Sequence, residues 1–388
     1  AHDFSCFMTD ADGTIIAQAD GIPIHTGGGG FAVRALLREF PKDTIADGDV
    51  FVLSDPYVAG GNHLPDWVIA RPVYYEDRIV AFTCNRAHQA DIGGGAAGTY
   101  NPEATEIYHE GIRLPVLRLV RQGDILKDLW QLLMINCRTP DFLDGDLRAM
   151  LGSTRIGAAH MVELFEKHGL EEGLMYFEGL LAHADTRLRA AIGALPDGIY
   201  HGEDWFDNDC FEPMDIPICV TLTVSGEELK VDFTGTNEQI KGFKNSSIAN
   251  TYSAVYVALA SFFDPTIPRN EGTFRSVTII APEGTLVNPR PPAPMTMNTI
   301  FPGCQIIHAC WQALGQADPE QSCAGWGHNS FPISSGFQHN GDRFVMYHWA
   351  GASGGGAVKG RDGFPQQGGV NSLCGLVIPN VETFEQLF

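Results

Sequence analysis

The first ninety residues combine short apolar runs with polar turns, a pattern that predicts paired strands. Residues 4–19 alternate apolar and polar side chains around an Asp-Ala-Asp-Gly turn, which is typical of a hairpin. Residues 67–75 and 78–84 are rich in β-branched and aromatic side chains, and the turn Tyr75-Glu76-Asp77-Arg78 joins them. The pattern therefore predicts a second hairpin, with a further short strand at residues 50–53.

Apolar positions at helical spacing dominate the middle of the chain. The longest such stretch, residues 142–195, predicts a helical segment with a break near Gly169. From Tyr200 onward the strand pattern returns. Further periodic segments predict helices at residues 31–37, 125–136, 247–263 and 305–314, and strands at residues 216–224, 228–233 and 277–281.

Strand hairpins that alternate with clustered helices indicate an α+β fold with mixed or antiparallel sheets, and not a doubly wound parallel sheet. We predict two intertwined domains. Residues 1–197 form an N-terminal α+β domain that contains the helical segment of about 142–195, and residues 198–388 form a second α+β domain with a Gly-rich tail. The length of 388 residues is enough for one large or two ordinary domains.

The charge balance argues against two classes of partner. Lysine and arginine number 25 against 47 aspartates and glutamates, which gives a formal net charge of −22. Nucleic acid requires a basic surface, and so does an anionic membrane face. No secretory signal and no run of about 18 apolar residues is visible. The nine cysteines include no CxxC pair, which indicates reduced thiols in a cytoplasmic protein.

The stretch from Gly60 to Gly95 contains the strongest candidate for a functional site. His63 and Asp66 lie three positions apart on a Gly-rich turn before the predicted hairpin, and His88 follows its second strand. Because a hairpin returns its end to its beginning, His88 is expected beside His63 and Asp66. Two imidazoles and a carboxylate that converge in this way can bind a divalent metal with open positions. The alternative is that these residues cap turns or form hydrogen bonds at the strand ends.

Two charged residues that flank the second histidine are candidate catalytic residues. Asp91 could orient a ligand or transfer a proton, or it could cap the glycine turn that follows it. Arg86 could hold a carboxylate or phosphate through two guanidinium nitrogens, or it could form an ordinary ion pair with Asp55 or Glu106. His25 could face the same pocket, although a lone histidine in a turn is more often structural.

The motifs of common nucleophile and nucleotide enzymes do not occur in the sequence context that they need. It contains no GxSxG, Walker A, GxGxxG or SxxK motif with suitable flanking residues. We therefore expect neither a serine hydrolase nor an enzyme that binds its own nucleotide.

Eight short motifs occur in order through almost the whole chain. They are Asp3-Phe4-Ser5-Cys6, Ser54-Asp55-Pro56-Tyr57, Asn62-His63-Leu64-Pro65-Asp66, Asn85-Arg86-Ala87-His88-Gln89-Ala90-Asp91-Ile92-Gly93-Gly94, Ala104-Thr105-Glu106-Ile107, Arg138-Thr139-Pro140-Asp141, Asp232-Phe233-Thr234-Gly235-Thr236 and Asn288-Pro289-Arg290-Pro291-Pro292. With these motifs the chain resembles the hydantoinase B/5-oxoprolinase family, which includes subunits of N-methylhydantoinase, caprolactamase, acetone carboxylase and acetophenone carboxylase. Members of that family extend beyond both ends of this sequence, so both chain ends are expected to be truncated.

The resemblance implies a ligand set and a reaction. The HxxD pair and the later histidine are taken as metal ligands in that family, which implies His63, Asp66 and His88 here, and Asp3 is the position expected to complete the set. The implied function is the metal-binding catalytic subunit of an ATP-dependent cyclic amide hydrolase. A hydantoinase A-like partner would bind ATP and Mg²⁺ and phosphorylate the substrate, and metal-bound water on this chain would attack it. Zn²⁺ or Mn²⁺ is expected, with Co²⁺ and Fe²⁺ as alternatives.

Two other functions stay open at this point. The chain could be a subunit of an ATP-dependent ketone carboxylase, in which the metal orients a carboxylate or an enol phosphate. The HLPD and NRAHQADIGG forms of the motifs favour the hydantoinase type over the carboxylase type. The chain could also be a scaffold subunit with a structural metal, although structural sites are closed and usually contain cysteine.

Overall fold

An antiparallel sheet of seven strands forms the first half of the molecule. The computed structural model describes residues 3–19, 21–328, 332–347 and 353–363. In chain order the strands are β1 (Phe4–Asp10), β2 (Ile15–Gln18), β3 (Val50–Leu53), β4 (Asp66–Tyr75), β5 (Arg78–His88), β6 (Leu117–Arg121) and β7 (Asp124–Ile125). Their spatial order is β2-β1-β5-β4-β3-β6-β7, and every neighbouring pair is antiparallel.

Helices cover both faces of this sheet. They are α1 (Pro23–Thr26), α2 (Gly29–Glu39), α3 (Lys127–Ile135), α4 (Pro140–His168) and α5 (Leu170–Ile192). Because side chains alternate along a strand, Val68 and Ala70 of β4 join the core that α2 covers, whereas Trp67 and Ile69 join the core under α3 and α4. Burial on both faces explains why residues 67–75 are almost continuously apolar.

A smaller sheet with two helices forms the second half. It contains β8 (Gly198–Asn208), β9 (Pro213–Ser225), β10 (Glu228–Asp232) and β11 (Val277–Ile280), and the helices are α6 (Ile248–Phe262) and α7 (Gly303–Ala317). The strand order is β11-β10-β9-β8; the β10–β11 pair is parallel and the other two pairs are antiparallel. Helix α7 packs so closely on β8 that a Cβ at Gly202 would lie 1.9 Å from the carbonyl oxygen of Ala309.

A separate hairpin, β12 (Ile333–Phe337) and β13 (Arg343–Tyr347), follows the second sheet. Within the described parts of the chain, no helix is both long and apolar enough to cross a membrane.

The predicted α+β class is confirmed, and the two predicted hairpins, the helical segments and the break at Gly169 are present. Strands β6 and β7 were not predicted. The division at residues 197 and 198 stays a prediction, and part of the predicted Gly-rich tail, residues 364–388, lies outside the described residues. Contacts join the two halves, among them an ion pair between Arg34 Nη1 and Glu271 Oε2 at 2.9 Å.

Candidate metal centre

The candidate site lies at one end of the large sheet, where three adjacent strands begin or end. Asp66 starts β4 and His88 ends β5, and the strand register places them directly opposite each other. On the other side of β5, the backbone N–H of His88 donates to the carbonyl oxygen of Asp3 at 3.0 Å. Since residues opposite each other in register share a face of the sheet, Asp3, His88 and Asp66 form one row across β1, β5 and β4.

His63 joins this row from the loop before β4 and completes a compact cluster. Its Nε2 lies 2.8 Å from Asp66 Oδ1, and His88 Nδ1 lies 3.1 Å from the same oxygen. The two histidine nitrogens are 3.3 Å apart. His63 and Asp66 are buried, and the His88 side chain is 6% exposed. The sequence prediction that these three side chains converge therefore agrees with the structure.

The chemistry of the cluster fits a divalent cation. His63 Nδ1 lies 2.6 Å from the carbonyl oxygen of Thr296, which can only accept, so this nitrogen carries a proton, and in the neutral ring Nε2 presents a lone pair. A lone pair that faces a carboxylate oxygen is unfavourable unless a proton or a cation lies between them. Tetrahedral ligands at typical Zn²⁺ distances are separated by about 3.3 Å, close to the spacing seen here.

One carboxylate oxygen of Asp66 has no hydrogen-bond donor among the described residues. Among the described residues, its Oδ2 accepts no hydrogen bond although it is completely buried. A buried carboxylate oxygen without a donor is unusual in a protein interior and is consistent with a position that binds a cation.

Asp3 reaches the cluster through a histidine. His25, on α1, places its Nε2 3.4 Å from Asp3 Oδ1 and 3.5 Å from Asp66 Oδ2. The Oγ of Ser5 lies 3.4 Å from the other ring nitrogen of His25. The sequence favoured a structural role for His25, but the structure brings this side chain to the edge of the site. Asp3 is not among the side chains whose ligand atoms all lie within 4.8 Å of one another, which are those of His63, Asp66 and His88.

The charges in the cluster are strongly coupled. Burial raises the pKa of Asp66, but the nearby His63 and His25 more than compensate, so its pKa lies well below the usual value. Burial lowers the pKa of His63, and the Asp66 charge and hydrogen bond reverse this effect, so the pKa of His63 is raised. For His25 burial dominates and the pKa is lowered. The carboxylate of Asp66 is thus held ionised and available as a ligand.

Arg86 lies one row behind the cluster, where it pairs in register with Ser5 and Val68. It is fully buried, and its Nη1 donates to the carbonyl oxygen of His25. Within the described residues, Nε and Nη2 have no hydrogen-bond partner, and neither predicted ion pair forms, since Asp55 binds Arg113 instead. Burial lowers the pKa of Arg86 to about 10, and the group stays cationic behind Asp66.

The buried Asp91 is bound by its own loop and by Arg138. One carboxylate oxygen accepts from the backbone N–H groups of Gly93 and Arg138, and the other accepts from the N–H of Gly98 and from Arg138 Nη1 at 3.0 Å. These four donors fix the loop of residues 93–98, here called the glycine loop, which borders the site. The structure does not place Asp91 in the cluster, and its contacts match the predicted alternative of a turn-capping residue. Its predicted catalytic role stays untested.

Thr296, which contacts His63, lies in the second half of the chain, and Glu110 holds its backbone in place. The sequence predicted neither contact. Glu110 is buried, and its Oε1 accepts from the backbone N–H groups of Met295 and Thr296. Burial raises the pKa of Glu110 to about 7. Nearby, the Asn298 side chain donates to the carbonyl oxygen of Asn62 at 2.7 Å. No local pattern predicts these contacts, because the residues that they join are between 185 and 236 positions apart in the sequence.

Two tyrosines form an aromatic wall around His88. The ring of Tyr100 stacks on the imidazole with centroids 5.8 Å apart, and Tyr347 meets it edge-on at 5.6 Å. Tyr347 is the last residue of β13, so the separate hairpin reaches the site. The sequence contains no signal for either contact.

The structure is that of an α+β protein with a buried cluster of two histidines and an aspartate that could hold a metal ion. Comparison with known proteins gives its family. Residues 1–388 match the family described as Hydantoinase B/oxoprolinase, and the chain belongs to that family. It is 34% identical over 389 residues to caprolactamase subunit beta of Pseudomonas jessenii, an alignment that covers 99% of this chain and 66% of that protein.

Two solved structures share the fold. The crystal structure of the ATP-dependent caprolactamase from Pseudomonas jessenii matches with a TM-score of 0.93 at 34% identity, covering 100% of this chain and 67% of that one. Nucleotide-free acetone carboxylase matches with a TM-score of 0.89 at 19% identity, covering 99% of this chain and 53% of that one. The second likeness shows the fold alone. The chain spans about two thirds of the length of its caprolactamase relative.

Proposed function

We propose that this chain is the metal-binding catalytic part of an ATP-dependent cyclic amide hydrolase. The observation that carries the proposal is the buried cluster of His63, Asp66 and His88, whose three acceptor atoms lie 2.8 to 3.3 Å apart. The similarity to a caprolactamase subunit supports a cyclic amide as the substrate class. The same similarity supports the hydrolase over the ketone carboxylase, whose likeness extends to the fold alone.

The residues assigned to the metal are His63, Asp66 and His88, with Asp3 and His25 beside them. Two nitrogens and a carboxylate oxygen suit Zn²⁺, Mn²⁺, Co²⁺ or Fe²⁺, and Zn²⁺ or Mn²⁺ is our first expectation. When bound, such an ion lowers the pKa of a water molecule and polarises a substrate oxygen.

The protein's own side chains orient the ligands and shield the site. The carbonyl oxygen of Thr296 fixes the protonated nitrogen of His63, which directs its other nitrogen at Asp66. Tyr100 and Tyr347 pack against His88, whose side chain is 6% exposed. The buried cation Arg86 lies behind Asp66 and offsets part of its charge. These contacts fix the positions of the His63, Asp66 and His88 side chains relative to one another.

A hydantoinase A-like partner is proposed to bind ATP and Mg²⁺ and to phosphorylate the amide oxygen. The relative from Pseudomonas jessenii is named as a beta subunit of an ATP-dependent enzyme, which supports a second subunit. The helices α4 and α5 expose large apolar side chains, including Ile156, Met175 and Leu180. Such side chains are common where a second protein binds, so we assign part of the partner surface to these helices.

Metal content tests the assignment of the site. The variants His63→Ala and His88→Ala should each lose bound metal after equilibration with Zn²⁺ or Mn²⁺ and desalting. The matched control is His183→Ala, an exposed histidine on α5. The control should keep the stoichiometry of the wild type. Unchanged metal content in both site variants, measured by elemental analysis, would refute the metal reading.

The reaction is tested on the complex with its ATP-binding partner. ADP release should depend on a hydantoin, a lactam or 5-oxoproline, and it should be lost with His88→Ala. ADP release that instead requires acetone or acetophenone together with bicarbonate would replace the hydrolase by the carboxylase. Activity that survives substitution of His63, Asp66 and His88 would leave only the alternative that the chain is a scaffold subunit.

A further inference from the structure

The hairpin β12–β13 contacts the candidate metal centre through one hydroxyl group. The Tyr347 hydroxyl lies 2.6 Å from the carbonyl oxygen of Gly98 and 3.2 Å from His88 Nε2. The Oγ1 of Thr99 is 3.3 Å from the same hydroxyl. This tyrosine therefore joins three groups: the hairpin that carries it, the glycine loop after β5, and a proposed metal ligand.

The directions of these hydrogen bonds follow from the chemistry of the partners. A carbonyl oxygen only accepts, so the single proton of the Tyr347 hydroxyl points at Gly98. The tyrosine oxygen then acts as acceptor toward His88, whose Nε2 must carry a proton to donate to it. In a neutral imidazole the other nitrogen, Nδ1, then presents its lone pair. That nitrogen faces Asp66 Oδ1 at 3.1 Å.

The two clustered histidines are thus oriented in opposite senses by two backbone carbonyls. Thr296 fixes the proton on Nδ1 of His63, and Gly98, acting through Tyr347, fixes the proton on Nε2 of His88. Both lone pairs point inward. A tautomer fixed by a partner outside the ligand set is how metal-binding histidines are commonly oriented.

We propose that Tyr347 is a positioning residue for His88, and that it couples docking of the β12–β13 hairpin to occupancy of the metal site. The proposal rests on the metal binding put forward under Proposed function. Tyr347 does not touch the acceptor atoms of the cluster; it acts through the ring of His88. Because the contact is shared, a metal that binds better when the hairpin is docked must also strengthen docking, by the same factor.

Among the described residues, the contacts of the hairpin with the loop after β5 include the Tyr347 hydroxyl and the side chain of Ile333. Phe337 is 70% exposed and Met346 is 52% exposed, so much of the hairpin faces solvent. Its apolar contact to the glycine loop is close: a Cβ at Gly98 would lie 2.5 Å from Cγ2 of Ile333. Gly98 also has a positive φ of 80°, which favours glycine. Gly98, whose carbonyl oxygen accepts the hydrogen bond from Tyr347, therefore has the backbone conformation and the small size that the close approach of the hairpin requires.

Metal affinity provides the first test. The full chain and the variant Tyr347→Phe are titrated with Zn²⁺ by competition with a chelator of known affinity. The variant keeps the ring and loses only the hydroxyl. We expect its Zn²⁺ affinity to fall roughly tenfold or more, the range typical of partners that orient a ligand. The control Tyr200→Phe removes a hydroxyl that binds the carbonyl oxygen of Pro196, away from the site, and should retain the wild-type affinity.

Hydrogen exchange of the hairpin provides the second test, and it does not depend on catalysis. Backbone amides of residues 333–337 and 343–347 are followed with and without Zn²⁺. In the wild type, Zn²⁺ should slow their exchange by a factor similar to the affinity change, and this effect should disappear in Tyr347→Phe.

The outcomes separate the two proposals. A wild type that binds neither Zn²⁺ nor any of Mn²⁺, Co²⁺ and Fe²⁺ in the same titration overturns the proposed function and this inference together. A wild type that binds Zn²⁺, with Tyr347→Phe unchanged in affinity and in Zn²⁺-dependent exchange, overturns the role of Tyr347 and leaves the proposed function standing. Loss of affinity together with loss of hairpin protection supports the coupling.

Discussion

At the scale of single residues, the candidate site brings a nitrogen from each of His63 and His88 close to one oxygen of Asp66. Asp66 is the centre of the arrangement, because His63, His88 and His25 all lie within 3.5 Å of its carboxylate. The carbonyl oxygen of Thr296 contacts the His63 ring, and the buried Arg86 donates to the carbonyl oxygen of His25. The side chains of the candidate site are thus oriented in part by residues outside the cluster.

Glu110 should make stability depend on pH. Its folded-state pKa of about 7 exceeds the ordinary value of 4.5, so the folded protein holds this proton more tightly than the unfolded chain. The stabilisation is fully present below the unfolded pKa and is lost as the pH rises through 7. Its size is about 3 kcal/mol, from the pKa difference and 1.36 kcal/mol per unit.

The variant Glu110→Gln isolates this effect. Glutamine keeps an acceptor for the N–H groups of Met295 and Thr296 but does not titrate. At each pH, the free energy of unfolding of the variant is subtracted from that of the wild type. We expect this difference to become smaller by about 3 kcal/mol as the pH rises from 4.5 to 8. Urea unfolding at four pH values, with a chelator present, measures it. Parallel curves for the two proteins would show that Glu110 ionises normally.

Which site residues the sequence could reveal depended on how far apart they lie along the chain. His63, Asp66 and His88 belong to one local hairpin, so a turn and an alternating pattern were enough to bring them together. His25 comes from another element, and its approach depends on how α1 packs against β1 and β5. Thr296 and Tyr347 come from the other half of the chain. Long-range packing leaves no periodic signal in the sequence.

At the scale of elements, the large sheet and its helices position the site rigidly. Strand β5 lies between β1 and β4 and carries His88 at its end, so the register of two strand pairs sets the row of Asp3, His88 and Asp66. A shift of one residue in either pair would turn a ligand to the opposite face. The sequence predicted the β4–β5 pair correctly. It did not predict that β1 pairs with β5, because that pairing joins strands almost 80 residues apart.

The close packing of α4 against α5 gives a prediction at this scale. Gly173 on α5 lies beside the fully buried Phe165, and a Cβ there would be 2.5 Å from a ring carbon. Gly173→Ala should lower the free energy of unfolding by about 1–3 kcal/mol through overpacking. Gly179, on the same helix, has open space around it. Gly179→Ala should raise the free energy of unfolding by about 0.5–1 kcal/mol, since alanine favours the helix.

Chemical denaturation of both variants checks this pair, with each compared to the wild type at one pH. Opposite signs are the essential result. If both substitutions stabilise the protein, the two helices are packed less tightly at Phe165 than the structure indicates.

At the scale of the whole molecule, the two halves of the chain meet at the candidate site. The first half supplies the clustered side chains, and the second half supplies Thr296, the Asn298 amide that holds Asn62, and Tyr347. A site assembled in this way requires both halves to be folded. The chain resembles a caprolactamase subunit over almost its full length, yet it spans about two thirds of that subunit. The site is thus contained in the part that the two proteins share.

The last prediction is that this chain alone neither consumes ATP nor hydrolyses a cyclic amide. The motivation is the combination of a metal-type cluster with a sequence in which no Walker A or GxGxxG motif occurs with the flanking residues that phosphate binding requires. An unactivated amide is a poor electrophile, and phosphorylation of its oxygen creates the leaving group that a metal site by itself does not provide. The purified chain is assayed with Zn²⁺ or Mn²⁺, ATP and a panel of hydantoins, lactams and 5-oxoproline, first alone and then with a hydantoinase A-like partner. We expect ADP release and ring opening only in the second case. Steady ring opening by the chain alone, independent of ATP and abolished by His88→Ala, would show a complete metallohydrolase and would refute the requirement for a second subunit.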